Sequence, residues 1–461
     1  MIEKAQIVFD LITKNHEWSQ IYVIFVASLS GISSMGLTSW PSPSIPILTS
    51  NLSNIEVISV EEASYFSVIP ALVTLVLSPL TAILVDVIGR KQMVILITVP
   101  QIICWTIIAM AKNLTYLYVS RCMSGIADAL IYCVIPVYIG EISTPNIRGT
   151  WGNLFIMFLY VGQFFMNIIG SYCTIQTTAL IFITIPIIQF TLALFLPESP
   201  YFLLIKRQDS EAEQSLKRLR RNKNVQDEFY QLRQFVEQQI SEPASFKHLF
   251  LISSNRKSLM ICVALRIFQQ FSGIITFSVY TQQIFIEAGG INYSTSAIVF
   301  CSALVVIGII YLFVVNRLGR RHVMLLSSSL TALILFIKAT YLFLKLEVHV
   351  DMSDFNWMPL TIMIFYLTVS VGGLGMLPVL MLGELFSSNF KGKAMGVVTV
   401  FSYLCLLVVP KLFHYLSMEY GMYIPFLLFA VCTTMTIPFY YFVLPETRGK
   451  TLEEIQSINH K

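Results

Sequence analysis

The sequence is short of charge. Of its 461 residues only 12% are Asp, Glu, Lys or Arg, against roughly a quarter in a soluble globular protein. Thirty basic and 26 acidic side chains leave a formal net charge of +4. That excess is too mild for a nucleic-acid surface, and no nucleic-acid partner is expected. Cysteine is sparse and unpatterned. Cys104, Cys122, Cys133, Cys262, Cys301, Cys405 and Cys432 sit in apolar stretches, and Cys173 stands alone near a short loop. Neither disulfide-rich nor metal-ligand spacing is present, so they read as small packing residues. There is no phosphate loop and no credible Ser–His–Asp set, and the six histidines are scattered. An enzyme, a metal site and a cofactor are therefore not expected. A signal peptide is also missing. Residues 1–20 mix Glu3, Asp10 and Glu17 with Lys4 and Lys14, and no small-residue cleavage site follows a short apolar core. The first apolar run is expected to be a retained signal anchor.

What is abundant is apolar. Hydrophobic residues make up 56% of the chain and the mean hydropathy is +0.72. Apolar runs recur along the whole length, each near the roughly 20 residues that cross a bilayer as a helix. Twelve spans are predicted. Six lie at about 20–40, 64–85, 92–111, 115–140, 150–171 and 176–196. Six more lie at about 257–286, 295–315, 322–345, 357–383, 394–415 and 422–444. The stretch between them is charged, with Leu216, Leu219, Phe229, Leu232 and Val236 at helical spacing. It reads as short amphipathic helices docking on the membrane domain. The expected domains are 1–198, a first six-helix bundle; 199–256, a cytoplasmic helical linker; 257–446, a second bundle; and 447–461, a cytoplasmic tail.

Basic residues set the expected orientation. One set of loops carries Arg90, Lys91, Arg148, Arg317, Arg320, Arg321, Lys391 and Lys393, and the central segment belongs to the same side. The alternate loops are nearly free of Lys and Arg. The positive-inside rule makes the first set cytoplasmic, with both termini inside. Three Asn-x-Ser/Thr sequons fall on the other side, at Asn51, Asn113 and Asn292, and Asn51 is the best glycosylation candidate.

The two halves repeat. "DVIGRK" at 86–91 returns as "NRLGRR" at 316–321, "EISTPNIRG" at 141–149 as "ELFSSNFKG" at 384–392, and "LPESP" at 196–200 as "LPETR" at 444–448. Three matches in one order imply a duplicated six-helix unit. Parallel duplicated halves mark transporters whose substrate site lies between them near the midplane. With "RCMSGIA", "PVYIGEISTPNIRG", "QQFSG" and "LPETRGKTLEE" added, the chain resembles the sugar porters of the major facilitator superfamily. "GLTSWPSPSIPIL" at 36–48 is similar to the first outer loop of insect facilitated trehalose transporters.

The resemblance implies an all-α membrane protein of two pseudo-symmetric six-helix bundles with short cytoplasmic helices between them. It implies a plasma-membrane, multi-pass carrier, here expected to be monomeric, with a sugar substrate and the lipid bilayer as its partners. Gln269 and Gln270 match the family's sugar-binding pair and Tyr280 a gating tyrosine; Ser402 and Tyr403 stand where an Asn-Trp pair is usual. Other family positions are lost: Ile275 stands for an Asn, Ile156 for a Gln, and Val379 lies in a weakened "PxPW". The repeated charges read as a cytoplasmic gate of Asp86, Arg90, Glu141, Arg148 and Glu198 in one half. Arg317, Arg320, Arg321, Glu384, Lys391 and Glu446 answer them in the other. Such pairs are expected to bridge the halves when the cavity opens outward, and to break when it opens inward. The competing reading is that they only fix topology. Gly89 and Gly319 are expected to allow tight turns there.

Three further charges fall inside spans: Arg121 and Asp128 on the fourth and Arg266 on the seventh. Charges at that depth are costly and point to function. Asp128 and Arg266 are expected either to pair across the cavity or to contact a polar or charged solute; the alternative is a structural role. Lys338 lies near a span end and is expected to snorkel. The first span lacks the acid that proton-coupled sugar porters carry there, which favours facilitated uniport. A proton-coupled symporter using Asp128 and a non-transporting solute sensor stay open as alternatives.

Overall fold

The computed structural model describes residues 17–50, 55–144, 147–148, 151–221, 225–241, 246–288, 292–314, 319–351, 353–378, 381, 385–386 and 388–446. Within them twelve helices are long and apolar enough to cross a membrane. The first six spans are Trp18–Leu48, Val60–Ile88, Arg90–Ala109, Leu114–Ile142, Leu154–Tyr172 and Ile175–Ala193. The second six are Ser253–Val279, Tyr293–Tyr311, Arg320–Leu346, Met358–Gly375, Lys393–Tyr420 and Tyr423–Phe442. The end of the molecule that carries Arg90, Arg148 and Arg320 is termed the basic end, and the opposite one the far end.

Local chemistry sets the span boundaries. Ser59 and Glu62 form a reciprocal cap on the second span, each side chain holding the other's backbone N–H at 3.2 and 2.8 Å. Asn113 caps the fourth span by accepting from the Tyr116 N–H at 3.3 Å. Pro70, Pro79, Pro100 and Pro136 lie inside spans, where neighbouring helices can satisfy the freed carbonyls. Small residues let the spans close on each other. A Cβ on Gly162 would come within 2.3 Å of the Ile32 carbonyl oxygen, so the first and fifth spans touch backbone to backbone there.

The seventh and tenth spans differ from plain helices. Ser253–Phe271 ends at Gly273, whose φ of +89° suits glycine. A short helix, Ile274–Val279, follows, and Thr281–Ala288 resumes after Tyr280. The carbonyl of Ser272, freed at the break, accepts from Tyr366 Oη at 2.9 Å. The tenth span passes into a π-helical turn at Val371–Gly375. The sequence reading of 257–286 and 357–383 as single spans missed both irregularities.

The halves share one core and keep two. At the far end a single buried cluster draws on both, from Leu37, Trp40 and Phe182 to Tyr280, Phe413 and Phe429. At the basic end one cluster belongs to the first half, around Val94, Ile135 and Tyr138. Another belongs to the second, around Leu265, Met324 and Tyr440. Across the halves the second span packs on the eleventh and the fifth on the eighth. The linker helices Pro200–Ile205 and Asp209–Arg220 lie against the first half, and Gln226–Ser241 packs on Pro200–Ile205. Leu219 joins that half's basic-end core. Val236 and Ala212 bury with Phe202, Leu203 and Leu204, and Phe229 and Leu232 pack alongside.

Candidate functional site

The polar group between the halves centres on Arg266. Its Nε donates to Ser402 Oγ at 3.0 Å and its Nη1 donates to Gln269 Oε1. Gln269 in turn donates from Nε2 to the Gly375 carbonyl at 2.5 Å, at the end of the π-helical turn. A widened turn of this kind re-aims backbone carbonyls and recurs at functional sites. Seventh, tenth and eleventh spans are thus tied at one point. The Gln270 amide and the Tyr403 hydroxyl have no hydrogen-bond partner among the described residues. The Tyr403 ring meets Tyr132 of the fourth span edge-on at 6.3 Å, one ring from each half. Arg266 and Tyr132 are partly exposed, so accessible space reaches the group.

Arg121 and Asp128 are buried on the first half's side of that space. Asp128 Oδ1 accepts from Ser34 Oγ of the first span at 2.6 Å. Arg121 donates from Nη1 to the Leu37 carbonyl at 2.7 Å and stacks over the Trp40 ring at 4.6 Å. Its Nε and Nη2 are buried without partners. Asp128 and Arg266 do not pair with each other. Each is held by neutral groups of its own half, and the Tyr132–Tyr403 contact closes the first half on the second beside them. Lys338 corrects the snorkelling expectation. It is fully buried, its Nζ 3.4 Å from the Pro359 carbonyl and 5.9 Å from the Tyr341 and Phe426 rings. It faces the neighbouring helices because the ninth and twelfth spans pack along their length.

The far end is shut by side chains of both halves. Ser278 Oγ donates to Gln163 Oε1 at 3.1 Å. The Gln282 backbone N–H donates to Ser42 Oγ at 3.2 Å, and its Nε2 donates to Ser171 Oγ at 2.9 Å. Lys411 Nζ donates to Ser64 Oγ at 2.7 Å. Tyr280 lies in this seal rather than beside Gln269. It stacks on Phe413 at 5.4 Å and on His414 at 6.3 Å.

At the basic end the repeated motifs build twin structures. The Glu198 carboxylate accepts from the backbone N–H of Arg90 and Lys91 at 2.9 and 3.1 Å, capping the third span. Glu446 accepts from the N–H of Arg320 and Arg321 at 2.9 and 3.1 Å, capping the ninth. A helix N-terminus favours an anion in this place. The two glycines, one in each half's repeated motif, make room for these carboxylates: a Cβ on Gly89 would lie 2.6 Å from Glu198 Oε2, and one on Gly319 would lie 3.0 Å from Glu446 Oε2. Only Gly89, at φ +109°, also needs glycine's backbone; Gly319 sits at −67°, which corrects that part of the reading. Arg90 bonds Glu141 at 2.9 Å and Asp86 at 3.0 Å, and stacks over Phe202 at 4.9 Å. Ser199 Oγ donates to Glu141 Oε2. Arg148 donates to the carbonyls of Gly140 and Ser143, and burial with Arg220 nearby holds its guanidinium below the ordinary value. Tyr201 is half-buried, and burial with Glu141 nearby pushes its phenol up to about 12. Each of these pairs lies within one half. Among the described residues these particular bonds do not cross between the halves.

Asn51, Arg317, Glu384 and Val379 lie outside the described residues, as does the Lys391 side chain. Sequence reasoning missed Ser34, Tyr132 and Lys411. The first two are ordinary residues for a span and gave no signal; Lys411, a cation inside the eleventh span, did.

The sequence model of the family described as sugar (and other) transporter matches residues 23–458. The facilitated trehalose transporter Tret1 of Bombyx mori is 30% identical over 446 residues, covering 95% of this chain and 86% of that protein. A facilitated trehalose transporter Tret1-2 homolog of Drosophila simulans is 30% identical over 451 residues, covering 96% and 91%. Among solved structures the proton:xylose symporter XylE bound to 6-bromo-6-deoxy-D-glucose aligns with TM-score 0.77 at 18% identity, over 96% of this chain and 99% of that one. The inward-open xylose transporter XylE of E. coli aligns with TM-score 0.75 at 18% identity, over 95% and 99%. These structures share the fold, and this chain's relatives in sequence and structure are transporters rather than enzymes. With a duplicated six-helix unit, twelve spans and a family match over nearly its whole length, this chain belongs to the sugar transporters of the major facilitator superfamily.

Proposed function

We propose that the chain is a facilitated carrier for a sugar such as trehalose or a hexose. It moves the sugar across the plasma membrane by alternating access, with the basic end and both termini in the cytoplasm. One observation carries the reading: the far end is held shut by bonds between the halves above the Arg266–Gln269–Ser402 group, while at the basic end the halves keep separate cores. That is the arrangement of a carrier open to one side. The names of the relatives supply trehalose as the first sugar to try.

Sugar hydroxyls both donate and accept, and the midplane group offers both. Gln270 and Tyr403 present unspent hydrogen-bonding groups, and Arg266 has spent two of its three nitrogens on the walls. Each neutral hydrogen bond contributes about 1 kcal/mol net. Asp86, Arg90, Glu141, Arg148, Glu198, Arg320, Arg321 and Glu446 form the gate at the basic end, and the halves exchange partners across it when that end shuts. Arg90 and Glu141 are largely buried here, so that pair is not a weak surface contact; it can open within a transport cycle only as each charge takes up a new partner. In the membrane the carrier acts as a monomer, and Asn51 carries the glycan.

Uptake of radiolabelled trehalose and glucose into vesicles holding the purified chain tests the reading. A facilitated carrier equilibrates one of these sugars and does so equally with and without a pH gradient. A second reading has its own observation, the buried Asp128 carboxylate on Ser34. Accumulation above equilibrium, driven by an inward proton gradient and lost in Asp128→Asn, would establish proton coupling instead. Binding of a sugar with no flux in either condition would mark a sensor.

A further inference from the structure

We propose that Lys411 is the far-end latch: its ammonium clamps the eleventh span to Ser64 and Tyr65 of the second, and this contact sets the balance between the two open states. The inference rests on the alternating-access reading above and adds a residue that the family resemblance does not supply.

The geometry is that of a three-part clasp. Lys411 Nζ stands 2.7 Å from Ser64 Oγ and 4.2 Å from the centre of the Tyr65 ring. Ser64 spends its own proton on the Glu61 carbonyl at 2.6 Å. Its hydroxyl oxygen is therefore turned to accept, which is what an ammonium needs, having donors only. The aromatic face supplies a second attraction to the same charge. Both acceptors come from the first half and the cation from the second, so the contact exists only while the far end is shut. The other cross-half bonds there, through Ser278 and Gln282, join neutral groups. A hydrogen bond to an ionised group is roughly twice as strong as a neutral one, so the Lys411 contact is the strongest single polar bond among those described in the seal. When the halves rock apart the ammonium is released toward the far-side water, where it is readily hydrated. A cation at this depth thus costs little in one state and is held by two partners in the other. No carboxylate is needed, and a neutral partner keeps the latch weak enough to open.

Hydrogen–deuterium exchange of the full-length chain in lipid nanodiscs tests the proposal. In Lys411→Met the segments 60–67 and 281–288 at the far end should exchange faster by about tenfold, the scale of one lost cation–π and charged contact. The segments 86–91 and 141–144 should exchange more slowly, because the basic end closes as the far end opens. Tyr65→Leu should do the same, while Lys411→Arg and Tyr65→Phe, which keep the charge and the ring, should retain the parent pattern. Unchanged exchange in both Lys411→Met and Tyr65→Leu would overturn the latch, and so would faster exchange at both ends, which means lost stability alone. If Lys411→Met does not fold, the contrast between Tyr65→Leu and Tyr65→Phe reads the same contact. A parent that moves no sugar would remove the carrier reading, whereas the exchange pattern would still report the latch.

Discussion

Arg266 shows how far single residues could be read. A guanidinium inside a span is conspicuous in the sequence, and three residues before Gln269 it had to share that residue's helix face. Its partners were not visible, because helical spacing says nothing of which neighbouring helix meets that face. Ser402 arrives from the eleventh span and the Gly375 carbonyl from a π-helical turn that no local pattern announced. Asp128 was legible as a buried acid, but its partner Ser34 was not. Two predictions belong here. Replacing Gln270 by Ala removes an amide from the space between the halves; the KM for the transported sugar should rise by about fivefold, equivalent to one hydrogen bond, with little change in maximal rate. Arg266→Gln should raise KM further, about tenfold or more, since it loses a charged donor and frees Gln269 and Ser402 as well. Initial-rate uptake over a range of sugar concentrations measures both, and an unchanged KM in both variants would remove this group from the site.

At the scale of elements the repeat was the strongest signal. Three motif pairs in register implied two copies of one unit, and the twin caps of Glu198 on the third span and Glu446 on the ninth are its structural form. The sequence placed these acids after the sixth and twelfth helices but not on the helix ends they cap, since the chain must fold back to bring them there. Gly89 follows from the same contact. In Gly89→Ala the new methyl would meet Glu198 at 2.6 Å and the residue would hold an unfavourable φ of +109°. The thermal unfolding midpoint of the purified protein should fall, by the equivalent of about 1–3 kcal/mol. Gly319→Ala, at an ordinary φ, should cost less. Equal effects at the two positions would argue against this account of the turn. Lys338 is the counter-example at this scale. Its position near a span end suggested snorkelling, yet the ninth span turns that face toward Phe426 and Pro359. Which side of a span faces lipid is set by its neighbours, and apolar residues on all sides hide it.

For the whole molecule, composition and hydropathy alone defined the twelve spans, and the motif order gave two bundles. The open side was not in the sequence. It follows from packing: Tyr280, Phe413 and Leu37 belong to one core shared by both halves, while Tyr138 and Tyr440 belong to separate ones. Charge repetition suggested pairs bridging the halves at the basic end. Among the described residues Arg90, Glu141 and Glu198 bond to one another within the first half, and Glu446 caps Arg320 within the second. A carrier built this way must return its empty site across the membrane, and sugar on the opposite side should speed that return. Counterflow therefore tests the central claim most directly. Vesicles loaded with unlabelled trehalose or glucose and diluted into a trace of the same labelled sugar should take up label transiently above its equilibrium level. Vesicles in which the label never rises above equilibrium with either sugar, although the reconstituted protein is folded, would contradict the account.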